Sequence, residues 1–333
     1  MSSPLLSLLR SQETARTILE RAVSSGRIHH AYLFTGPDGV GKELAAFGLA
    51  QALLCERRTS GANGACGACS ACTRAVPREG ERTALHPDLV IVERGLHAPQ
   101  SIGRRTPETQ EISIDQIRTL VLSRAAFAPH EGRAKVIIVR RAEELSISAA
   151  NALLKTLEEP GQKTHFVLVS SQPEALLPTI LSRTLAVRFA PLPDDVVADL
   201  LAARALRLDA AREIARLASG SVETGERLAD PEESDARERF VERALDAISA
   251  RTSAGVLALA EEAKKDKDAL PSRIAALAAA LAARAADAAA ASSTDAEALA
   301  NRGRHALTAL EHLAGNGAPQ LVVEAMLMRM RTS

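Results

Sequence analysis

The run His30-Ala31-Tyr32-Leu33-Phe34-Thr35-Gly36-Pro37-Asp38-Gly39-Val40-Gly41-Lys42-Glu43 carries the strongest structural signal in the chain. It opens on an apolar, aromatic run suited to a buried strand, passes through a glycine-rich turn, and leads into an Ala- and Leu-rich helix from Gly41 to about Leu54. With Gly36-x-x-x-x-Gly41-Lys42 in the turn, this is most of a P-loop. Backbone N–H groups around Gly36, Gly39 and Gly41 would cradle phosphates, and Lys42 would reach the terminal ones. One member departs from the pattern. The position after the lysine takes Ser or Thr, whose hydroxyl ligates Mg²⁺, and here it is Glu43.

Outward from this turn the chain alternates strands and helices. An amphipathic helix over 14–23 precedes it, with Ile18, Leu19 and Val23 on one side. After it come the short apolar strand Leu89-Val90-Ile91-Val92, an aperiodic stretch over 95–110 that reads as a mobile surface loop, and a helix capped by Ser113 and running to about Arg124. That helix turns Ile114, Ile117, Leu120 and Val121 inward. The strand Lys135-Val136-Ile137-Ile138-Val139 follows. In P-loop ATPases such a strand ends in acids that hold Mg²⁺ and orient the attacking water. Here Arg140 and Arg141 stand there, and Glu143 and Glu144 come one turn later. A guanidinium stays charged in a protein and ligates no cation. Next are a helix from Ser146 to Glu159 stopped by Pro160-Gly161, a strand His165–Val169, a short helical turn ending in Ser182-Arg183-Thr184, and a fifth strand Leu185–Phe189. Strands alternating with helices predict an α/β domain with a doubly wound parallel sheet.

All four cysteines, Cys55, Cys66, Cys69 and Cys72, fall in one glycine-rich loop at C-x10-C-x2-C-x2-C spacing. Four thiolates so spaced can close a tetrahedral Zn²⁺ site, with Gly61, Gly64 and Gly67 suiting a tight knuckle. Four protein ligands leave no open position, so the expected site is structural. Free cysteines in a core are the plainer reading, but those scatter rather than cluster in a polar loop.

Pro191 and Pro193 mark a boundary beyond which only helices are predicted, near 194–205, 209–219, 221–229, 235–250, 254–266, 271–291, 295–314 and 319–330. Pro271 suits a first helical position, and Ile274, Leu277 and Leu281 form a buried stripe. At 333 residues the chain is long enough for two or three domains. Lys plus Arg and Asp plus Glu balance at 41 each, which excludes a global positive field for nucleic acid. Trp is absent and Tyr occurs once, which argues against base-stacking platforms of the RRM or OB kind. Met1-Ser2-Ser3-Pro4-Leu5 lacks the pattern of a signal peptide, and no long apolar run appears; the Ala-rich stretch 275–291 is broken by Arg284 and Asp287. A soluble cytoplasmic protein without membrane contact is expected.

In this order, several runs resemble the AAA+ clamp-loader subunits of bacterial DNA polymerase III. They are His30–Phe34, the P-loop, the cysteine knuckle, Asn151-Ala152-Leu153-Leu154-Lys155-Thr156-Leu157-Glu158-Glu159-Pro160, Ser182-Arg183, and the segment from Asn316 to Met330, similar to the family's last collar helix. The ten-residue Asn151–Pro160 run is the most specific. The resemblance is close to about residue 190 and weaker beyond. It implies a RecA-like AAA+ domain over 1–190 carrying the zinc module 55–72, a helical lid over 191–231, and an all-helical collar over 232–333. It implies partners too: gamma/tau and delta subunits in a hetero-pentameric ring, the sliding clamp, and primed DNA through the complex.

Four departures favour the non-hydrolysing, delta-prime branch of that family over the gamma/tau branch. They are Glu43, Arg140, Arg141, and Glu223 where the lid's arginine would stand. A metal-free nucleotide held by Lys42 and Arg140 remains compatible with them. Arg183 corresponds to the arginine of the family's Ser-Arg-Cys motif, here Ser182-Arg183-Thr184, and the resemblance implies that it reaches a neighbouring subunit's ATP site. A gamma/tau-like ATPase is the first alternative. The second is a zinc-dependent DNA-binding module, with Arg57, Arg58, Arg74 and Arg78 as local charges.

Overall fold

The computed structural model describes residues 4–57, 64–78, 80–102, 111–125, 127–161, 163–204, 206–266, 269–314 and 317–332. Arg58, Gly61, Asn316 and the 103–110 part of the expected loop lie outside them. The chain divides into two compact units, Met1–Gly225 and Glu226–Ser333.

The first unit is built on a parallel sheet of β1 (Ala31–Thr35), β2 (Leu89–Val92), β3 (Lys135–Val139), β4 (Thr164–Ser170) and β5 (Leu185–Arg188). The spatial order is β2-β3-β4-β1-β5. β1 is buried throughout and flanked on both sides, Leu33 pairing with Leu168 of β4 and Ala186 of β5. That is the setting in which a strand reads as a continuous apolar run. Alternate side chains face opposite layers. Leu33, Val90, Ile137 and Phe166 join a core with Ile117, Val121, Leu153 and Leu157. On the other side Phe34 packs against Phe189 at 5.4 Å between ring centres.

Two polar groups are buried for structural reasons. Lys135 opens β3 fully inside the protein, and its Nζ donates to the carbonyls of Arg124, Phe127 and Ala128, closing the end of the preceding helical segment. The Asp88 carboxylate, just ahead of β2, accepts from the backbone N–H groups of His130, Glu131 and Gly132. Burial alone would raise its pKa, but these three donors hold it below the usual aspartate value.

Several expected elements shift. The first amphipathic helix spans Glu13–Ser25 and buries Ala15, Leu19 and Val23, leaving Ile18 exposed. Residues 15, 19 and 23 stand four apart and share one face; 18 lies off it. Ser113 makes a capping box with Gln116, as its position before the apolar positions predicts. The segment Ile117–Leu122 is then π-helical rather than α, with Ile117, Leu120 and Val121 buried. Short helical pieces at Pro4–Ser7, Ser70–Arg74 and Pro99–Ile102 add to the elements the sequence predicts.

The first unit also holds the helices Lys42–Leu54, Ile147–Glu158, Pro178–Leu181, Asp194–Ala202 and Leu208–Leu217, and the unit boundary falls within Val222–Ala229. The second unit holds helices Pro231–Ser249, Ala254–Lys265, Leu270–Ala290, Asp295–Ala314 and Pro319–Arg331. Its core joins Phe240, Leu259, Val323, Met326 and Leu327 with the predicted stripe Ile274, Leu277 and Leu281. The helix at Pro231 starts four residues before the expected 235, because Asp230 caps it through Glu232 N–H and proline fits the first turn. No helix among the described residues is long and apolar enough to cross a membrane.

Candidate functional site: a P-loop closed by its own ion pairs

The P-loop turn joins β1 to the helix Lys42–Leu54, whose N-cap is Gly41 in the left-handed region. Two glycines in the turn are required by close approach. A Cβ on Gly36 would lie 2.3 Å from the Phe189 carbonyl oxygen, and one on Gly39 would lie 2.4 Å from the Glu223 backbone nitrogen. The loop is therefore wedged between the end of β5 and the start of the helix Val222–Ala229.

Lys42 is buried and turned back on its own loop, donating to the carbonyls of Gly36 and Pro37 and lying 3.4 Å from Asp38 Oδ1. Burial lowers its pKa, against the pull of Asp38, Glu143 and Glu223.

The two departures from the ATPase pattern, Glu43 and Arg140, are each other's partner. Arg140 Nη2 donates to Glu43 Oε1, and Nη1 donates to Glu93 Oε2 and to the Arg82 carbonyl, both at 3.0 Å. The guanidinium also lies over the Phe47 ring, 5.4 Å from its centre. Burial raises the Glu43 pKa and the Arg140 charge opposes that rise. Arg141, in a left-handed backbone conformation, pairs with Glu144 at 3.6 Å and Glu223 at 3.7 Å. Glu143 accepts from Ser171 N–H and Oγ–H at 3.3 and 2.9 Å. The residues expected to meet a nucleotide are thus brought together and tied to one another.

Glu93 is the member that sequence reasoning missed. Val92 pairs with Val139 across β2 and β3, so the next residues, Glu93 and Arg140, end side by side. Only the strand order reveals this.

The four cysteines converge as the spacing predicts, with their Sγ atoms all within 4.8 Å of one another. Cys55 follows the helix Lys42–Leu54, and Cys69 caps Ser70–Arg74. The Cys66–Cys72 and Cys55–Cys69 sulfur separations are 3.9 and 4.0 Å. A disulfide needs about 2.05 Å, whereas a tetrahedral ion with Zn–S bonds of about 2.3 Å sets its sulfurs about 3.8 Å apart. The set fits a four-thiolate metal site. The N–H groups of Ala68 and Cys69 pull the Cys66 thiol down to about 6, while burial pushes Cys72 up. Of the arginines near the knuckle, Arg74 is neutralised by a two-pronged pair with Glu131 at 2.7 and 2.9 Å, which weakens the case for a basic surface there.

Arg183 lies away from these groups in the turn between the helix Pro178–Leu181 and β5, with its side chain partly exposed. Its Nε donates to Glu158 Oε1 at 2.7 Å, Nη2 donates to the same oxygen, and Nη1 donates to Thr179 O at 3.0 Å and Ser182 Oγ at 3.2 Å.

Strand order, the P-loop turn after β1 and the flanking helices define an α/β P-loop module with a parallel sheet. The family described as "DNA polymerase III, delta subunit" matches residues 11–193, and the chain belongs to it. The Pseudomonas aeruginosa DNA polymerase III subunit delta' is 37% identical over 204 residues, covering 60% of this chain and 55% of that protein. The Bacillus subtilis subunit delta' is 29% identical over 230 residues, covering 69% and 63%. The Mycobacterium bovis subunit gamma/tau is 35% identical over 191 residues, covering 57% and 29%. The first of these matches thus spans about half the length of its relative. Among solved structures, a Thermotoga maritima protein related to the gamma subunit aligns over 96% of this chain and 99% of its own, at 18% identity and a TM-score of 0.44.

Proposed function

We propose that the chain is a non-hydrolysing, delta-prime-type subunit of a bacterial DNA polymerase III clamp loader, working in the cytoplasm. It assembles with gamma/tau and delta subunits into a hetero-pentameric ring, helps place the sliding clamp on primed DNA, and lends Arg183 to the ATP site of a neighbouring gamma/tau subunit. Residues 1–190 form the AAA+ domain, 191–231 the lid and 232–333 the collar. Cys55, Cys66, Cys69 and Cys72 hold a structural zinc ion, whose role is to fix the knuckle.

The observation that carries this reading is the Glu43–Arg140 pair. It puts an anion and a cation at the two positions where an ATPase supplies a hydroxyl and a carboxylate to Mg²⁺. Lys42 is bound to loop carbonyls, and Glu223 stands in place of an arginine, so the groups that neutralise charge developing on a transferred phosphoryl group are replaced or occupied. The gamma/tau relatives keep a second reading in view, that of a hydrolysing subunit; the same four departures oppose it. The test is co-purification of the full chain with candidate gamma/tau and delta subunits, followed by ATP turnover with clamp and primed DNA. A stoichiometric complex whose turnover depends on this chain supports the proposal. Failure to assemble with either subunit overturns it.

A further inference from the structure

The geometry around Arg183 points to a second residue acting on it. We infer that Glu158 is a latch, holding the Arg183 guanidinium parked until a terminal phosphate carried by an adjacent subunit displaces it. The inference rests on the finger reading of Arg183 and adds a residue that controls it.

A guanidinium has five N–H donors. Four of those on Arg183 are committed within the chain, two to Glu158 Oε1, one to Thr179 O and one to Ser182 Oγ. A two-pronged grip on phosphate needs two donors on one edge of the fork. That edge becomes available only if the Nε and Nη2 bonds to Glu158 are given up. The bonds to Thr179 and Ser182 hold the opposite nitrogen and can persist as a pivot.

Glu158 is placed so that release is easy. It is the last residue of the helix Ile147–Glu158, where the exposed carbonyl ends of the helix disfavour a carboxylate. Its side chain is 47% exposed and that of Arg183 32% exposed, so water and salt weaken the pair. An incoming phosphate also repels the carboxylate while it attracts the guanidinium. The pair therefore orients Arg183 in the free subunit and yields to a stronger anion. Arg183 is the group that would touch the phosphate; Glu158 is a positioning residue.

The experiment uses full-length chain carrying Glu158→Gln, Arg183→Ala or both, each assembled with gamma/tau and delta subunits. ATP turnover is measured with clamp and primed DNA, and assembly is checked by gel filtration. Glutamine keeps the size and removes the charge. Releasing an exposed ion pair should raise the turnover number by about two- to five-fold, with assembly unchanged, and the gain should vanish in the Arg183→Ala background. A merely structural role for Glu158 would not show that dependence. If Arg183→Ala lowers turnover while Glu158→Gln matches wild type, the latch is refuted and the finger stands. If Glu158→Gln lowers turnover alongside Arg183→Ala, Glu158 supports the finger and the latch is again refuted. If Arg183→Ala itself changes nothing, the finger reading fails and the latch with it.

Discussion

Replacing Arg140 with alanine should destabilise the first unit far more than neutralising its partner Glu43. The asymmetry follows from burial. The Arg140 side chain is 10% exposed and that of Glu93 13%, whereas that of Glu43 is 49% exposed. Arg140→Ala leaves Glu93 mostly buried and paired with the exposed Arg82, a loss of about 2 kcal/mol for a charge-assisted bond inside the protein. It removes the cation–π contact with Phe47, about 0.5–1 kcal/mol. It also removes the half-exposed pair with Glu43, at most about 1 kcal/mol. Arg140 Nε is buried without a hydrogen-bond partner, so its removal offsets part of the loss. A net destabilisation of about 3 kcal/mol is expected. Glu43→Gln keeps the Glu93 bond and the ring contact and should cost less than about 1 kcal/mol. Urea unfolding followed by far-UV circular dichroism suits a chain without tryptophan. Equal costs for the two substitutions, or an Arg140→Ala midpoint indistinguishable from wild type, would refute the claim that Arg140 holds this corner of the fold.

Protein purified without added metal should contain about one zinc per chain, and Cys69→Ser should abolish it while the sheet stays folded; four titratable thiols and no metal by elemental analysis would count against the site. Asp88 has a folded pKa below its unfolded value, so its contribution is present above the ordinary aspartate range and is lost as pH falls through the folded value. The stability gap between wild type and Asp88→Asn should therefore shrink on acidification, and a gap constant from neutral to acid pH would contradict this. Arg183→Ala should leave folding, zinc content and assembly intact while lowering DNA-stimulated ATP turnover of the complex only in part, because other ATP sites keep their own fingers. Arg183→Lys should not fully restore turnover, since an ammonium lacks the forked geometry; full rescue would point to simple charge.

The sheet was legible because its strands are short apolar runs, such as Leu89–Val92 and Lys135–Val139, bounded by turn residues. The cysteine site was legible because its ligands are close in sequence and of one kind. What stayed hidden depends on contacts between distant residues. Glu93 and Arg140 meet only because β2 lies beside β3, and Glu158 and Arg183 only because a helix end faces a turn 25 positions away. The spacing of Ile117, Leu120 and Val121 suits an α-helix and a π-helical segment alike, so periodicity could not distinguish them. Ile18 is exposed and Leu19 buried, and hydrophobicity alone does not fix which of two adjacent apolar residues faces the core.

Whether this clamp-loader-type P-loop chain turns over ATP by itself is read on the isolated full-length chain. ATP hydrolysis is measured with Mg²⁺ beside a Lys42→Ala control. The expected result is no turnover above that control, and none gained by Arg140→Asp, since Glu43, Arg141 and Glu223 remain. Steady hydrolysis by the wild-type chain that Lys42→Ala abolishes would make the P-loop a working ATPase site.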